Sequence, residues 1–168
     1  MKKSDITALA KEDAFDLIGK QWMLVTAGDK QKFNTMTASW GGIGWLWNKP
    51  VAFIFIRPER YTHEFIEAGD QLTLSFYDEQ YRKALQICGS KSGRDTDKVT
   101  EAQLNPVETE NGAMSFAEAK LTLECKKLFK MTMQEGNFID KELLSRWYGE
   151  GKGNLHDVYV VEIENVYV

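Results

Sequence analysis

Apolar residues fall into short runs along the chain, and the spacing within each run predicts its structure. Residues 51–56 are apolar at every position, which predicts a strand covered on both faces, as in a closed barrel or at a dimer interface. Residues 71–77 instead alternate Leu72, Leu74 and Phe76 with polar side chains, a pattern typical of a half-buried strand. Pro58 cannot donate to a strand ladder, so we expect the first of these strands to end before it.

The same patterns predict the remaining elements. Further strands are expected at residues 21–26, 34–40 and 158–168, and residues 114–133 predict a hairpin or one long bent strand. Helices are expected at residues 8–20, 61–69 with Thr62 as N-cap, about 79–87, just after Asp95 or Thr96, and 138–148. Glycines at 41–44 predict a break in regular pairing. Roughly six to eight strands without βαβ alternation predict a mainly β fold with short helices, an antiparallel barrel forming a single domain over residues 1–168.

Composition and charge narrow the function classes. Hydrophobic residues make up 43% of the 168 residues, which is ample for a core. The charges sum to 21 − 25 = −4, so no global field draws in nucleic acid. No run approaches the roughly 18 apolar residues that span a bilayer, so no membrane association is expected. Cys88 and Cys125 lie far apart, which predicts two free thiols, no metal site and a cytoplasmic protein.

The stretch at residues 34–42 is the first candidate for binding chemistry. It carries small amide and hydroxyl side chains, including Asn34, Thr35, Thr37 and Ser39, and it ends in two glycines. Such a segment lets backbone N–H and hydroxyl groups approach an anionic ligand closely. The alternative is a Thr/Ser-rich edge strand followed by a turn.

Cationic side chains and a helix start follow this stretch. Arg57 ends a strand, Thr62 opens a helix whose N–H groups favour an anion, and Lys91, Ser92, Arg94 and Lys98 lie in or after a glycine-bounded loop. A phosphate would be matched by one or two of these cations and several neutral donors. Each residue also has a structural alternative: an ion pair with Glu59 or Glu64 for Arg57, a simple cap for Thr62, and a solvated loop for the others.

No catalytic constellation stands out. The glycines at 149–153 follow a helix rather than opening one, and the loop at 89–94 lacks P-loop spacing. His156 beside Asp157 is either an oriented acid/base or a residue at the entry to a strand. No Ser/His/Asp or Cys/His arrangement supports hydrolysis, so no catalytic residue and no metal ligand is assigned.

Residues 34–42, the strand that runs from Pro50 to Arg57-Pro58, and Tyr61-Thr62 together resemble the flavin reductase-like family of FMN-binding split barrels, which includes the flavoredoxins. The resemblance runs from about residue 22 to residue 98 and is looser afterwards. It implies a six-stranded antiparallel split β-barrel of Greek-key type and a homodimer with FMN at the interface. The cofactor contacts that it implies are Asn34, Thr35, Met36, Thr37, Ser39, Trp40, Arg57, Thr62, Lys91, Ser92 and Lys98.

The resemblance also implies chemistry that needs no acid/base triad, because bound FMN itself accepts and passes on electrons. The leading hypothesis is an NAD(P)H-dependent flavin reductase that delivers electrons to flavin or a small acceptor. A flavoredoxin-like carrier that exchanges electrons with a protein partner is the alternative, and binding of another planar phosphorylated ligand, such as pyridoxal phosphate or a haem-related molecule, is a third.

Overall fold

The computed structural model describes residues 1–168 and is built mainly from strands. The ten strands are β1 (Lys3–Ser4), β2 (Met23–Gly28), β3 (Phe33–Ala38), β4 (Gly41–Leu46), β5 (Lys49–Ile56), β6 (Gln71–Phe76), β7 (Pro106–Glu108), β8 (Met114–Phe116), β9 (Leu121–Thr132) and β10 (Asp157–Tyr167). The α-helices are α1 (Tyr61–Ala68), α2 (Arg82–Ser90), α3 (Lys98–Glu101) and α4 (Lys141–Tyr148). Short 3₁₀ segments span Ile6–Lys11, Glu79–Tyr81 and Glu135–Asn137, and a π-helix spans Phe15–Gln21.

The main sheet is antiparallel and open. Its strand order is β3-β2-β6-β9-β10-β5-β4, with the short β1 added to β10, while β7 and β8 form a separate pair. The edge strands β3 and β4 are not hydrogen-bonded to each other, so the barrel is split rather than closed, which confirms the predicted fold class. The sheet has eight strands and not the expected six, because β1 and β4 extend it beyond the central strands.

One face of the sheet carries the core. Ala52, Ile54 and Ile56 of β5 point into a cluster of 20 buried residues that also receives Tyr159 and Val161 of β10. This alternation follows from the two-residue period of strands. The opposite face of β5, which carries Phe53 and Phe55, is only half-buried, so the expected cover on both faces is incomplete within one chain.

The expected pairing break at residues 41–44 is wrong, since β4 pairs with β5 through this whole segment. Phe53 limits the side chain only at the first of these glycines. A Cβ atom on Gly41 would lie 2.7 Å from the Phe53 carbonyl oxygen, whereas one on Gly42 or Gly44 would make ordinary contact with the Phe53 ring at 3.6 or 3.7 Å. The turn that follows, Trp47–Asn48, has φ angles of 52° and 58°.

Several helix boundaries differ from the expected ones for local reasons. The helix expected at residues 8–20 is two segments, because the Asp13 carboxylate accepts from the Phe15 backbone N–H at 2.9 Å and starts a new helix. The helix expected at residues 79–87 is a 3₁₀ turn followed by α2. Asp97, rather than Asp95 or Thr96, caps α3 through the backbone N–H of Thr100. Asp140 caps α4, which therefore begins at Lys141.

Thr62 is not the N-cap of α1. The helix begins one residue earlier, with Arg60 at the N-cap position and no side-chain cap. Thr62 is fully buried, and its hydroxyl accepts a hydrogen bond from Asn34 Nδ2 at 2.7 Å. This bond ties the start of α1 to β3, so the helix N-terminus lies beside the strand that carries the first predicted binding residues.

Candidate functional site

A cavity of about 170 Å³, called here the ring cavity, lies where β3, β5 and β10 meet. It brings together five of the predicted contacts, Met36, Thr37, Ser39, Trp40 and Arg57. The other lining residues are Ala38, Phe55, Arg60 and His156. Its aromatic side chains, Trp40, Phe55 and His156, together with the polar residues between them, suit a planar ligand that makes directed hydrogen bonds.

A second cavity of about 230 Å³, the phosphate cavity, lies at the N-terminus of α1. It contains four further predicted contacts, Thr62, Lys91, Ser92 and Lys98. Glu59, Arg60, Tyr61, Gly89 and Ser90 complete it. A helix N-terminus, several hydroxyl-bearing side chains and neighbouring cations together favour an anion.

Arg60 lines both cavities and joins them. Its Nη2 atom is buried and has no hydrogen-bond partner within the protein. Burial lowers the pKa of Arg60, and the nearby Arg57 charge lowers it further. An unpaired buried guanidinium nitrogen is costly, so this atom is free to donate to an anionic or acceptor group of a ligand.

Lys98 is a buried cation beneath the phosphate cavity. Its side chain is 3% exposed, and its ammonium donates to the carbonyl oxygens of Cys88 and Lys91, both at 3.1 Å. Burial lowers the pKa of Lys98 to about 8. No carboxylate pairs with it, so its charge remains available to an anion above it.

Three predicted contacts use their side chains within the protein. The Thr35 hydroxyl is buried against Thr26 Oγ1 at 2.8 Å, and the Thr37 hydroxyl donates to the Leu85 carbonyl of α2. Asn34 donates to Thr62 and lies by a separate groove on the far side of the 93–100 segment. Thr37 therefore lines the ring cavity with its hydroxyl already bonded, whereas Thr35 lines neither cavity.

Arg57 borders the ring cavity, but its guanidinium is turned largely to the protein. Its Nη2 atom donates to the Trp147 carbonyl at 3.0 Å, and its Nη1 atom donates to the carbonyls of Lys152 and, at 3.2 Å, Asn154. The guanidinium also lies 5.1 Å from the centroid of the Tyr148 ring. Lys91 likewise forms an ion pair with Glu101.

His156 faces the ring cavity between aromatic rings. Its ring centroid is 5.3 Å from that of Trp40, and its Nδ1 atom and the Tyr148 hydroxyl are hydrogen-bonded at 2.7 Å. Burial and the nearby Arg57 charge lower the pKa of His156 to about 4, so the imidazole is neutral at pH 7. Asp157 does not orient it, because its carboxylate contacts His63 at 2.7 Å and Lys130 at 3.1 Å instead.

Sequence reasoning missed Arg60 and Phe55. Arg60 follows Arg57 by three residues and directly precedes α1, so a cation at a helix start was a signal that could have identified it. A larger groove of about 610 Å³ lies between α1 and the β2–β3 turn. It is open, and none of the predicted contacts lines it, so we assign the site by its chemistry rather than by its size.

No helix is long and apolar enough to cross a membrane. No group of three or more His, Cys, Asp and Glu side chains is placed to hold a metal ion. Burial raises the pKa of Cys88 to about 11 and raises that of Cys125 as well, so both are inert, protonated thiols at neutral pH.

Several solved structures of similar fold are described as flavoredoxins, FMN-binding proteins or flavin oxidoreductases. The flavoredoxin of Desulfovibrio vulgaris (Miyazaki F) aligns with a TM-score of 0.69 and 23% identity, over 100% of this chain and 76% of its own. The FMN-binding protein from Thermus thermophilus, with bound 1-cyclohex-2-enone, aligns with a TM-score of 0.65 and 21% identity, over 87% of this chain and 68% of its own. The NADH:FAD oxidoreductase SgcE6 of Streptomyces globisporus C-1027 aligns with a TM-score of 0.63 and 18% identity, over 88% of this chain and 74% of its own.

Comparison with curated proteins gives no match. The sequence profile of the flavin reductase like domain, in contrast, matches residues 15–168 and so includes both cavities and all the strands from β2 onward. The chain belongs to the flavin reductase like domain family.

Proposed function

We propose that the chain binds FMN and transfers electrons from NAD(P)H through it to a flavin or another small acceptor. The observation that carries the proposal is Arg60, whose orphaned Nη2 atom lies where the ring and phosphate cavities join. A ligand with a planar ring at one end and a phosphate at the other would satisfy this atom and fill both cavities. FMN has that form.

The residues present fit the cofactor. Lys98, Arg60, Ser92 and the α1 N-terminus would hold the phosphate by charge-assisted and neutral hydrogen bonds. Met36, the backbone of residues 37–39, and Trp40 would border the ring. FMN would supply the two-electron chemistry, and the protein would bind and orient it, exclude water from one ring face and tune it by hydrogen bonds.

The electron donor and acceptor are the finer part of the proposal. No dinucleotide-binding motif is present, so NAD(P)H would stack transiently on the flavin beside Trp40. The neutral His156 and the Tyr148 hydroxyl border the same space. The similarity in fold to a flavoredoxin extends over the whole of this chain. It favours one competing function, an electron carrier to a protein partner.

We also propose a homodimer with FMN at its interface. The outer face of the sheet carries two apolar rows, Phe129–Val160–Phe53 and Met131–Val158–Phe55. Phe55 also lines the ring cavity, so the apolar face is continuous with the proposed site. A second chain packed on this face would cover one side of the cofactor.

The absorption spectrum of the purified protein and a titration with FMN test the cofactor. We expect a flavin spectrum or saturable quenching of FMN fluorescence, and a protein that does neither would refute the proposal. Anaerobic stopped-flow mixing with NADH and with NADPH then separates the two functions. Rapid bleaching of the flavin band supports the reductase, whereas an unreduced flavin supports the carrier.

A further inference from the structure

A segment next to the ring cavity has little packing of its own. It consists of α4 and the loop at residues 149–154, and it is called here the wall. No residue of α4 is buried. The wall reaches the cavity through two contacts: Trp147 meets Trp40 edge-on with centroids 5.0 Å apart, and the Tyr148 hydroxyl is hydrogen-bonded to His156.

Two residues of the β5–α1 connection clamp the wall. Arg57 donates to three of its carbonyls, those of Trp147, Lys152 and Asn154. Glu59 accepts from the backbone N–H of Asn154 at 3.1 Å and from its side-chain amide at 3.3 Å. The cation therefore meets carbonyls at the C-terminus of α4, where a positive charge is favoured.

Gly153 fits tightly into this clamp. A Cβ atom on Gly153 would lie 2.3 Å from Glu59 Oε1 and 2.6 Å from Arg57 Nη1, and its φ angle is +89°. Gly151, in the same loop, has a φ angle of +74° but no neighbour within 4 Å of its Cβ position. The two glycines therefore share a backbone conformation but differ in what surrounds them.

We propose that Arg57 and Glu59 are positioning residues that hold the wall over the ring cavity and so control how a nicotinamide or acceptor reaches the flavin. Only the control of access to the flavin rests on the proposed function, whereas the position of the wall does not. Because no residue of α4 is fully buried, this polar clamp and the contacts of Trp147 and Tyr148 hold the wall in place. Arg57 would then act on the reaction through Trp147 and Tyr148 rather than through the phosphate.

The clamp is tested from the wall side with Gly153→Ala, with Gly151→Ala as the matched control. Both variants carry the strain of a side chain at positive φ, but only Gly153→Ala collides with Arg57 and Glu59. We expect limited chymotrypsin digestion at Trp147 and Tyr148 to be about tenfold faster in Gly153→Ala than in Gly151→Ala, since local opening exposes the segment. Equal digestion rates in the two variants would overturn the clamp.

The access role is tested by steady-state kinetics on the FMN-loaded protein. In Gly153→Ala we expect the KM for NADH to rise at least about threefold, with kcat and the FMN dissociation constant within about twofold of the Gly151→Ala values. Trp147→Ala should reproduce the KM change. An unchanged KM in both Gly153→Ala and Trp147→Ala would overturn the access role.

Arg57 itself separates the clamp from a direct cofactor contact. We expect Arg57→Gln to be digested as fast as Gly153→Ala, and Arg57→Lys to recover part of the protection. Weaker FMN binding without faster digestion would make Arg57 a cofactor ligand and refute its positioning role. A wild-type protein that binds no FMN would refute the proposed function and the access role, whereas the digestion result would still decide the clamp.

Discussion

Two arginines three residues apart have opposite surroundings. Arg57 donates three hydrogen bonds to carbonyl oxygens of the wall, whereas Arg60 has a buried nitrogen without a partner between the two cavities. Both follow the same strand, and residue type alone does not separate them. The difference arises because Arg57 faces the C-terminal end of α4, whereas Arg60 occupies the N-cap position of α1.

Arg60→Gln should weaken FMN binding strongly. The change removes a charged donor that we assign to the cofactor, and a charge-assisted hydrogen bond contributes about 1.5–3 kcal/mol, roughly a 10- to 150-fold change in affinity. Fluorescence titration with FMN measures it. Arg82→Gln is the control, because Arg82 also has a buried nitrogen without a partner but lines neither cavity; equal affinities for the two variants would remove Arg60 from the site.

Lys98 should make stability depend on pH in the alkaline range. Its folded-state pKa of about 8 is below the ordinary value of 10.5, so the unfolded chain binds more protons between these values. Stability therefore rises with pH in that window. Relative to Lys98→Met, the wild-type free energy of unfolding should increase by about 3 kcal/mol from pH 8 to pH 10.5. Urea unfolding of the cofactor-free proteins measures the difference, and a difference that stays constant with pH would contradict the burial of a charged Lys98.

At the scale of elements, the sequence predicted most of the long strands but not β1, β4 or β7, and it predicted the helix starts less well. β5 follows from a run that is apolar at every position, and β6 follows from the alternation of Leu72, Leu74 and Phe76 with polar residues. The expectation that β6 is half-buried is wrong, because its polar residues Thr73 and Ser75 are buried as well. The role of Thr62 at the start of α1 depends instead on Asn34, which is 28 positions away and whose side-chain amide donates a hydrogen bond to the Thr62 hydroxyl. Such a contact has no local signal, and for the same reason the sequence did not reveal that Thr37 bonds to α2 or that Arg57 bonds to α4.

The loop after α2 is pressed against β3, and Gly93 makes this possible. A Cβ atom at Gly93 would lie 2.1 Å from Asn34 Oδ1. Gly93→Ala should therefore push the loop, with Ser92, away from the phosphate cavity and lower the free energy of unfolding by about 1–3 kcal/mol. We expect weaker FMN binding as well.

Gly136→Ala is the control for this change, because nothing lies within 4 Å of its Cβ position. Thermal unfolding and FMN titration of the two variants measure the difference. A Gly93→Ala protein as stable as Gly136→Ala, and with the same FMN affinity, would mean that the loop moves without cost and does not shape the cavity.

At the scale of the whole molecule, the sheet has a core face and an outer face that is apolar yet uncovered in one chain. Phe129 is 45% exposed and Met131 is 43% exposed, and both lie in the rows that cross β9, β10 and β5. Trp47 packs against Phe129 with ring centroids 6.0 Å apart and is itself 56% exposed. Contiguous exposed apolar surface of this kind marks an interaction site.

A second copy of the chain is the occupant that we propose, because Phe55 links this face to the ring cavity and a symmetric pair would complete both sites at once. Phe129→Glu places a charge in one of the apolar rows of this face, where burial without a partner is costly. Wild-type protein should therefore elute as a pair of 19.2 kDa chains, and Phe129→Glu as single chains with weaker FMN binding. Light scattering coupled to size exclusion measures the mass, and Lys83→Glu on the exposed side of α2 is the control. A Phe129→Glu variant that stays paired would move the interface elsewhere, whereas single chains that bind FMN as tightly as wild type would separate the interface from the cofactor site.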